Sequence, residues 1–372
     1  MSEKKFIPVS EPSILEDELK NVTDAIKSGW ISSKGQYINE FEESFSSFIG
    51  TKYGVSTSNG TTALHLALSA LHIGEGDKVI VPDLTFISPV NTILYNHATP
   101  VLIDATYSYW SLDPEKIEEK IDGKTKAIIV VHLYGHPADM EPIVKLSKKY
   151  DLKIIEDCAE AHGAQYRGRN IGTFGDISCY SFYGNKIITT GEGGMCLTNN
   201  SELESEMIML RDHGMNPANR YWHDKIGYNY RMTNLQAAIG VAQVGRLSKL
   251  IEKRRLLASH YREGLRDLEG LVLHPEMSWA KNVYWLYSVL VENNKKNLDR
   301  DTISKLLIDY GIDNRRFFYP VHFMPPYRSL AQKQHFPISE RLAETGLNLP
   351  SSYNLEREDV NFICEGIREI MS

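Results

Sequence analysis

Two hydrophobic rhythms alternate along the first part of the chain. One is the short unbroken apolar run: KVIVP at 78–82, the run from Pro100 to Ile103 closing on Asp104, AIIVVH at 127–132 and Ile154-Ile155. Such runs lack polar alternation and are too short for helices, the pattern of strands buried on both faces. The other is an apolar stripe at three- and four-residue spacing. Leu15, Leu19, Val22 and Ile26 predict a helix over about Ile14–Ser28, stopped at Gly29. Further helices are predicted at Tyr37–Ile49, from near Thr61 with Leu64, Leu66, Leu68 and Leu71, at Pro89–Tyr95, at Pro114–Lys120, at Met140–Tyr150 and, rich in small residues, at Leu235–Leu247. Strands alternating with amphipathic helices predict an α/β layer with mainly parallel strands.

The texture changes after about Arg246. A lysine- and arginine-rich helix runs through Tyr261 to Leu268, a strand is predicted at Tyr284–Val291, and helices at Asp299–Tyr310 and Glu356–Ile370. The expected organisation is a large domain over 1–245 and a smaller C-terminal α/β domain over 246–372, without internal repeats or low-complexity linkers. A chain of 372 residues can bury a sizeable core in such an arrangement.

Charge narrows the function classes. The formal balance is −7 with both signs mixed and no long basic block, which argues against nucleic-acid binding. An anionic ligand would therefore need a local cationic pocket. Cys158, Cys179, Cys196 and Cys364 form no CxxC pair and have no metal-ligand spacing, so reduced core thiols are expected and no metal site. The stretch MSEKKFIPVSEP lacks an apolar signal core, and a soluble cytoplasmic protein is expected.

Candidate chemistry gathers between Ile154 and Met195. The run IIED ends in Asp157, and SFYGNK ends in Lys186 before the glycine-rich TTGEGG. Lysine forms Schiff bases, and the cofactor chemistry that uses one commonly pairs an acid with a pyridine nitrogen. The plainer alternative is a strand end and a surface lysine. Ser58, Asn59, Gly60 and Thr61 open a helix, so they are either an anion site or simple caps. Phe86, His132, Asp157 and the Ser181–Lys186 loop all follow strand candidates, which places them on the one rim where open α/β sheets bind ligands. The glycines at 191, 193 and 194 form no dinucleotide fingerprint. Asn229 and Arg231 are the polar candidates of a later aromatic loop, and Lys34 lies in a loop that either faces substrate or caps a helix.

Lys186 in SFYGNKIITTGEGGM, with IIEDCAEA, SNGTTALHLAL and GYNYRMTNLQAAIG, resembles the pyridoxal-phosphate-dependent nucleotide-sugar aminotransferases of the DegT/DnrJ/EryC1/StrS family over nearly the whole chain. The segments WISSKGQYI, VHLYGHPADM, YWHDKIGYNYRMTN and FYPVHFMPPY are most similar to members acting on GDP-4-keto-6-deoxymannose. The resemblance implies the type I, aspartate-aminotransferase-like fold and a homodimer with shared active sites. It implies pyridoxal 5′-phosphate as cofactor and L-glutamate as amino donor. The implied acceptor is the GDP-linked 4-keto sugar, with a UDP- or dTDP-linked keto sugar as the alternative. Lys186 resembles the lysine that carries the cofactor, and Asp157 the acid beside the pyridine nitrogen. Glu160 corresponds to the residue near the ring hydroxyl, where many relatives have glutamine, and Phe86 to the aromatic stacked on the ring. Gly60, Thr61 and Ser181 match phosphate-binding positions, and Asn229 a phosphate contact given by the second subunit. Lys34, Arg315 and His322 are expected substrate contacts; an arginine's fork of donors suits a diphosphate or a carboxylate.

Overall fold

A computed structural model describes residues 6–331 and 334–372; the first five residues of the polar N-terminal stretch lie outside the described residues. The centre is a seven-stranded sheet. From one edge to the other its strands are Tyr53–Thr57, Gly194–Thr198, Ile177–Ser181, Lys153–Asp157, Thr125–Val131, Lys78–Pro82 and Thr99–Ile103. The neighbours from Ile177–Ser181 to Thr99–Ile103 are all parallel, and Gly194–Thr198 runs antiparallel to both of its partners. The expected mainly parallel α/β layer is present. Its apolar runs are buried as the pattern required: Ile128, Ile129 and Ile155 have no exposed surface. Each such side chain contributes about 1.5–3 kcal/mol relative to exposure.

A second sheet, of antiparallel strands in the order Leu271–Leu273, Tyr287–Val291, Gly346–Leu349 and Arg315–Arg316, packs with helices Leu247–Leu265, Arg300–Tyr310 and Arg357–Met371. The short pairs Gln165–Tyr166, Arg169–Asn170 and Ala280–Lys281 form a third. This is the mixed α/β architecture of the type I aminotransferase fold. Among the described residues no helix is long and apolar enough to cross a membrane.

Three elements depart from the sequence expectation. Pro114–Lys120 is two 3-10 turns, Pro114–Lys116 and Glu118–Lys120, because its single buried side chain, Ile117, makes no stripe. The helix expected to end at Leu247 stops at Gly245, and Leu247 opens the next one after a non-helical Arg246. The strand expected from Tyr284 begins at Tyr287, since Tyr284 has a left-handed φ of 48° that no strand accommodates.

Candidate active site

The carboxyl ends of the parallel strands open onto one cavity of about 690 Å³. Thr85 and Phe86 reach it beyond Lys78–Pro82, Leu133 and Tyr134 beyond Thr125–Val131, Asp157 at the tip of its own strand, and Ser181 likewise. The other wall comes from around the second sheet: Trp285, Arg315, Arg316, Phe318 and Asn348. The ligand crevice of a doubly wound sheet is thereby closed by a separate layer.

On its floor stand an amine and two carboxylates. Lys186 Nζ lies 3.6 Å from Glu160 Oε1 and 4.0 Å from the centroid of the Trp285 ring. The Trp285 indole N–H donates to the Asn185 carbonyl at 2.7 Å, which fixes the backbone one residue before the lysine. Glu160 Oε2 accepts the Tyr134 N–H at 2.8 Å, and Asp157 Oδ1 accepts that of Ala159 at 3.0 Å. Burial lowers the Lys186 pKa, while Glu160 and Asp157 pull it back up and Arg315 adds to the depression. Burial pushes Glu160 up to about 7, against the opposing pull of Lys186 and the Tyr134 N–H. It raises Asp157 too. The amine and Glu160 move towards each other, so the site favours an amine that readily gives up its proton.

Because Glu160 is raised when folded, the stability it allows is complete below about pH 4.3 and falls as pH rises through about 7. In the cofactor-free protein, Glu160→Gln is expected to flatten that fall, by at most about 4 kcal/mol. Melting temperatures of both proteins between pH 5.5 and 8.5 test this; parallel curves would refute it.

The cavity fits the phosphorylated planar cofactor that the resemblance implies. Helix Gly60–Ala70 is capped by Asn59, whose Oδ1 accepts the Thr62 N–H at 2.9 Å. The Gly60 and Thr61 N–H groups, both at the cavity, have no intrahelical acceptor and offer an anion site. A Cβ at residue 60 would stand 2.8 Å from Ser181 Cβ, so only glycine leaves this end open. Thr61 Oγ1 and Ser88 Oγ, 2.7 Å apart, add hydroxyls. Three polar atoms of cavity-lining residues, Thr85 Oγ1, Asn185 Oδ1 and Arg316 Nε, are buried without a hydrogen-bond partner, as groups awaiting a ligand would be.

The structure thus brings together Gly60, Thr61, Phe86, Asp157, Glu160, Ser181, Lys186 and Arg315, and leaves three expected residues elsewhere. Asn229 is exposed, and its Oδ1 accepts from Arg231 at 3.1 Å. Lys34 is exposed in a loop pinned to Asn234, whose Nδ2 donates to the Trp30 carbonyl at 2.6 Å. His322 stands behind the wall, with Nδ1 2.8 Å from Asp83 Oδ2. His132 follows its strand but is wholly buried: its Nδ1 accepts the Ala138 N–H and its Nε2 faces Glu156 Oε2 at 3.2 Å. Glu156 also accepts N–H bonds from Gly172, Phe174 and Gly175. His132, Glu156 and Cys158 form a tight cluster, but these bonds tie the histidine and the carboxylate into the fold beneath Asp157.

Trp285, Tyr134 and Arg316 are the residues that sequence reasoning missed. Tyr134 and Tyr284 are left-handed at φ 53° and 48°, and their two turns abut so closely that a Cβ on Gly135 would lie 2.7 Å from the Trp285 nitrogen. The Y-G pair at 134–135 was the available signal for such a turn.

A model of the DegT/DnrJ/EryC1/StrS aminotransferase family matches residues 12–368. The chain is similar to GDP-perosamine synthase of Escherichia coli O157:H7, with 47% identity over 99% of both chains. It is similar to GDP-perosamine synthase of Vibrio cholerae at 43% identity over 98% of both. Among solved structures it resembles the PLP form of Spr1654 from Streptococcus pneumoniae, with a TM-score of 0.91 at 27% identity and 98% of both chains covered.

Proposed function

The chain belongs to the DegT/DnrJ/EryC1/StrS aminotransferase family, and from that premise we propose that it transfers the amino group of L-glutamate to C4 of GDP-4-keto-6-deoxy-D-mannose, giving GDP-perosamine and 2-oxoglutarate. The enzyme is a PLP-dependent aminotransferase. The observation that carries the reading is the Lys186, Glu160 and Asp157 constellation, set on the floor of a cavity with an anion site at its far end, in a chain collinear with two GDP-perosamine synthases.

Pyridoxal phosphate, when bound, supplies a conjugated ring that takes up the electron pair left on a carbon losing its proton. Asp157, ionised, would keep a proton on the ring nitrogen. Gly60 and Thr61 N–H groups, with the Ser181 hydroxyl, would hold the phosphate dianion. Phe86, 54% exposed and edge-on to Phe318 at 5.7 Å, would cover the ring face. Glu160 would stand near the ring hydroxyl. Lys186 Nζ takes the proton from the amine-bearing carbon of glutamate and, in the second half-reaction, delivers one to C4 of the sugar. Its depressed pKa leaves more of it in the form that accepts a proton. Arg315 meets a substrate anion.

A second copy of the chain completes the site in this reading. Leu15, Leu19, Ile26, Trp30 and Ile31 expose an apolar run that suits burial against another protein surface, and Asn229 is exposed and does not line the cavity of its own chain. Asn229→Ala is expected to weaken cofactor retention about tenfold, the worth of one hydrogen bond to a charged group. Titration of cofactor into stripped protein measures this, and unchanged affinity would count against the shared site. The division at residues 245 and 246 belongs to the same reading, supported by a second apolar cluster that includes Leu257, Tyr261, Tyr287, Ile303 and Ile363.

The deciding experiment supplies L-glutamate with GDP-4-keto-6-deoxymannose, and separately with UDP- and dTDP-4-keto-6-deoxyglucose, and resolves products by mass. Preferred amination of the GDP sugar is expected. Preference for either other sugar would overturn the acceptor while leaving the role of Lys186 intact.

A further inference from the structure

We propose that His322 is a positioning residue: as an imidazolium it bridges two carboxylates and clasps the two walls of the cavity against each other. The inference rests on the reading of the cavity as the substrate site. One wall is the segment after strand Lys78–Pro82, which carries Asp83 and, two and three residues on, the cavity-lining Thr85 and Phe86. The other descends from strand Arg315–Arg316 through Phe318 into the turn Val321–Phe323. Three hydrogen bonds join them. The Val321 N–H donates to the Asp83 carbonyl at 2.8 Å, the His322 N–H to Asp83 Oδ1 at 3.1 Å, and His322 Nδ1 to Asp83 Oδ2 at 2.8 Å. On its far side His322 Nε2 lies 3.3 Å from Glu340 Oε1, in helix Pro337–Thr345.

A neutral imidazole carries one N–H and can serve one of these carboxylates; the imidazolium serves both. Asp83 has no exposed surface, so loss of the imidazolium leaves a buried carboxylate with only the His322 backbone N–H. The rings of Phe323 and Phe336 pack on the imidazole at 4.5 and 4.8 Å and limit the water that could replace it. Other charged groups of this corner are Arg328, whose Nε donates to the Phe323 carbonyl at 3.3 Å, and the pair Asp104 and Lys116. The last two face each other at 3.0 Å, and Asp104 is also held by the Ser339 N–H and hydroxyl. Burial lowers the His322 pKa, but Asp83 and then Glu340 outweigh it, and the net shift is upward. Burial raises Asp83, against the pull of His322. The closure that a raised histidine contributes is complete below its unfolded pKa of about 6.5 and is lost as pH rises through the folded value.

The test follows amide hydrogen exchange of the holoenzyme over segments 83–88 and 316–323 from pH 6 to 9, corrected for intrinsic rates, together with KM and kcat for L-glutamate. In the native protein, protection of both segments is expected to fall together as pH rises, with KM rising and kcat nearly constant. His322→Asn keeps a donor near the Nδ1 position and cannot titrate, so it is expected to hold protection and KM level across the range. His322→Ala is expected to lose protection at every pH and raise KM about tenfold. Glu340→Gln, on the partly exposed side, is expected to move the native transition to lower pH. A native transition that persists in His322→Asn, or one that Glu340→Gln leaves in place, would overturn the clasp. Failure to aminate any sugar, with these exchange patterns intact, would instead overturn the functional reading.

Discussion

Lys186→Ala is expected to reduce kcat for amination by about 10³-fold or more, the loss of a general acid–base group compounded by loss of the cofactor's covalent holder. The variant should lose the visible absorbance that depends on the lysine, while the phosphate site still binds cofactor weakly. It should also fold. Removing one partner of a buried ion pair ordinarily costs about 3–5 kcal/mol through the charge left behind, but Glu160, raised to about 7, can take up a proton at neutral pH instead. A small primary amine added to the solution is expected to restore part of the rate, since it supplies a mobile base where Nζ stood. Steady-state product formation with and without that amine is the measurement. Turnover within tenfold of the native enzyme would remove Lys186 from the chemistry.

The parallel sheet was legible because strands buried on both faces leave an unbroken apolar signature, as AIIVVH at 127–132 does, and the rim followed from where those runs end. Asp157, Lys186 and the Gly60–Thr61 helix start were readable on that ground, and the family resemblance ordered them into one site. Opaque to sequence was whatever depends on a non-repeating backbone or on distant partners. Trp285 read as a strand residue, yet the left-handed Tyr284 before it turns the chain out of the strand and swings the indole over Lys186. Arg316 and Asn348 reach the cavity from a different sheet, where no local pattern shows which way they point. The resemblance makes His322 an expected substrate contact, but no local pattern points to its partner Asp83, which lies 239 residues earlier.

Asp157→Asn separates charge from shape. The residue is buried, with Oδ1 anchored on the Ala159 N–H, and its carbonyl accepts the His132 N–H at 3.1 Å, so an amide of the same size can keep the backbone and one acceptor in place. It cannot carry the negative charge that holds a proton on the ring nitrogen. Breaking such a buried pair on one side is worth about 3–5 kcal/mol. If that falls on the transition state alone, kcat drops about 10²–10⁴-fold. Single-turnover reaction with L-glutamate reads the rate, and ¹⁵N NMR of ring-labelled cofactor reads the proton. The cofactor-free protein should respond in the opposite sense. Burial raises the Asp157 pKa, so the native carboxylate weakens the fold as pH rises through its folded value, and the amide removes that cost. The variant should therefore melt no lower than the native protein at neutral pH while losing most of its rate. A residue kept for packing alone would show the reverse, a lower melting temperature with catalysis preserved in whatever stays folded. The two readouts together decide whether the acid at the tip of Lys153–Asp157 is there for the sheet or for the ring nitrogen.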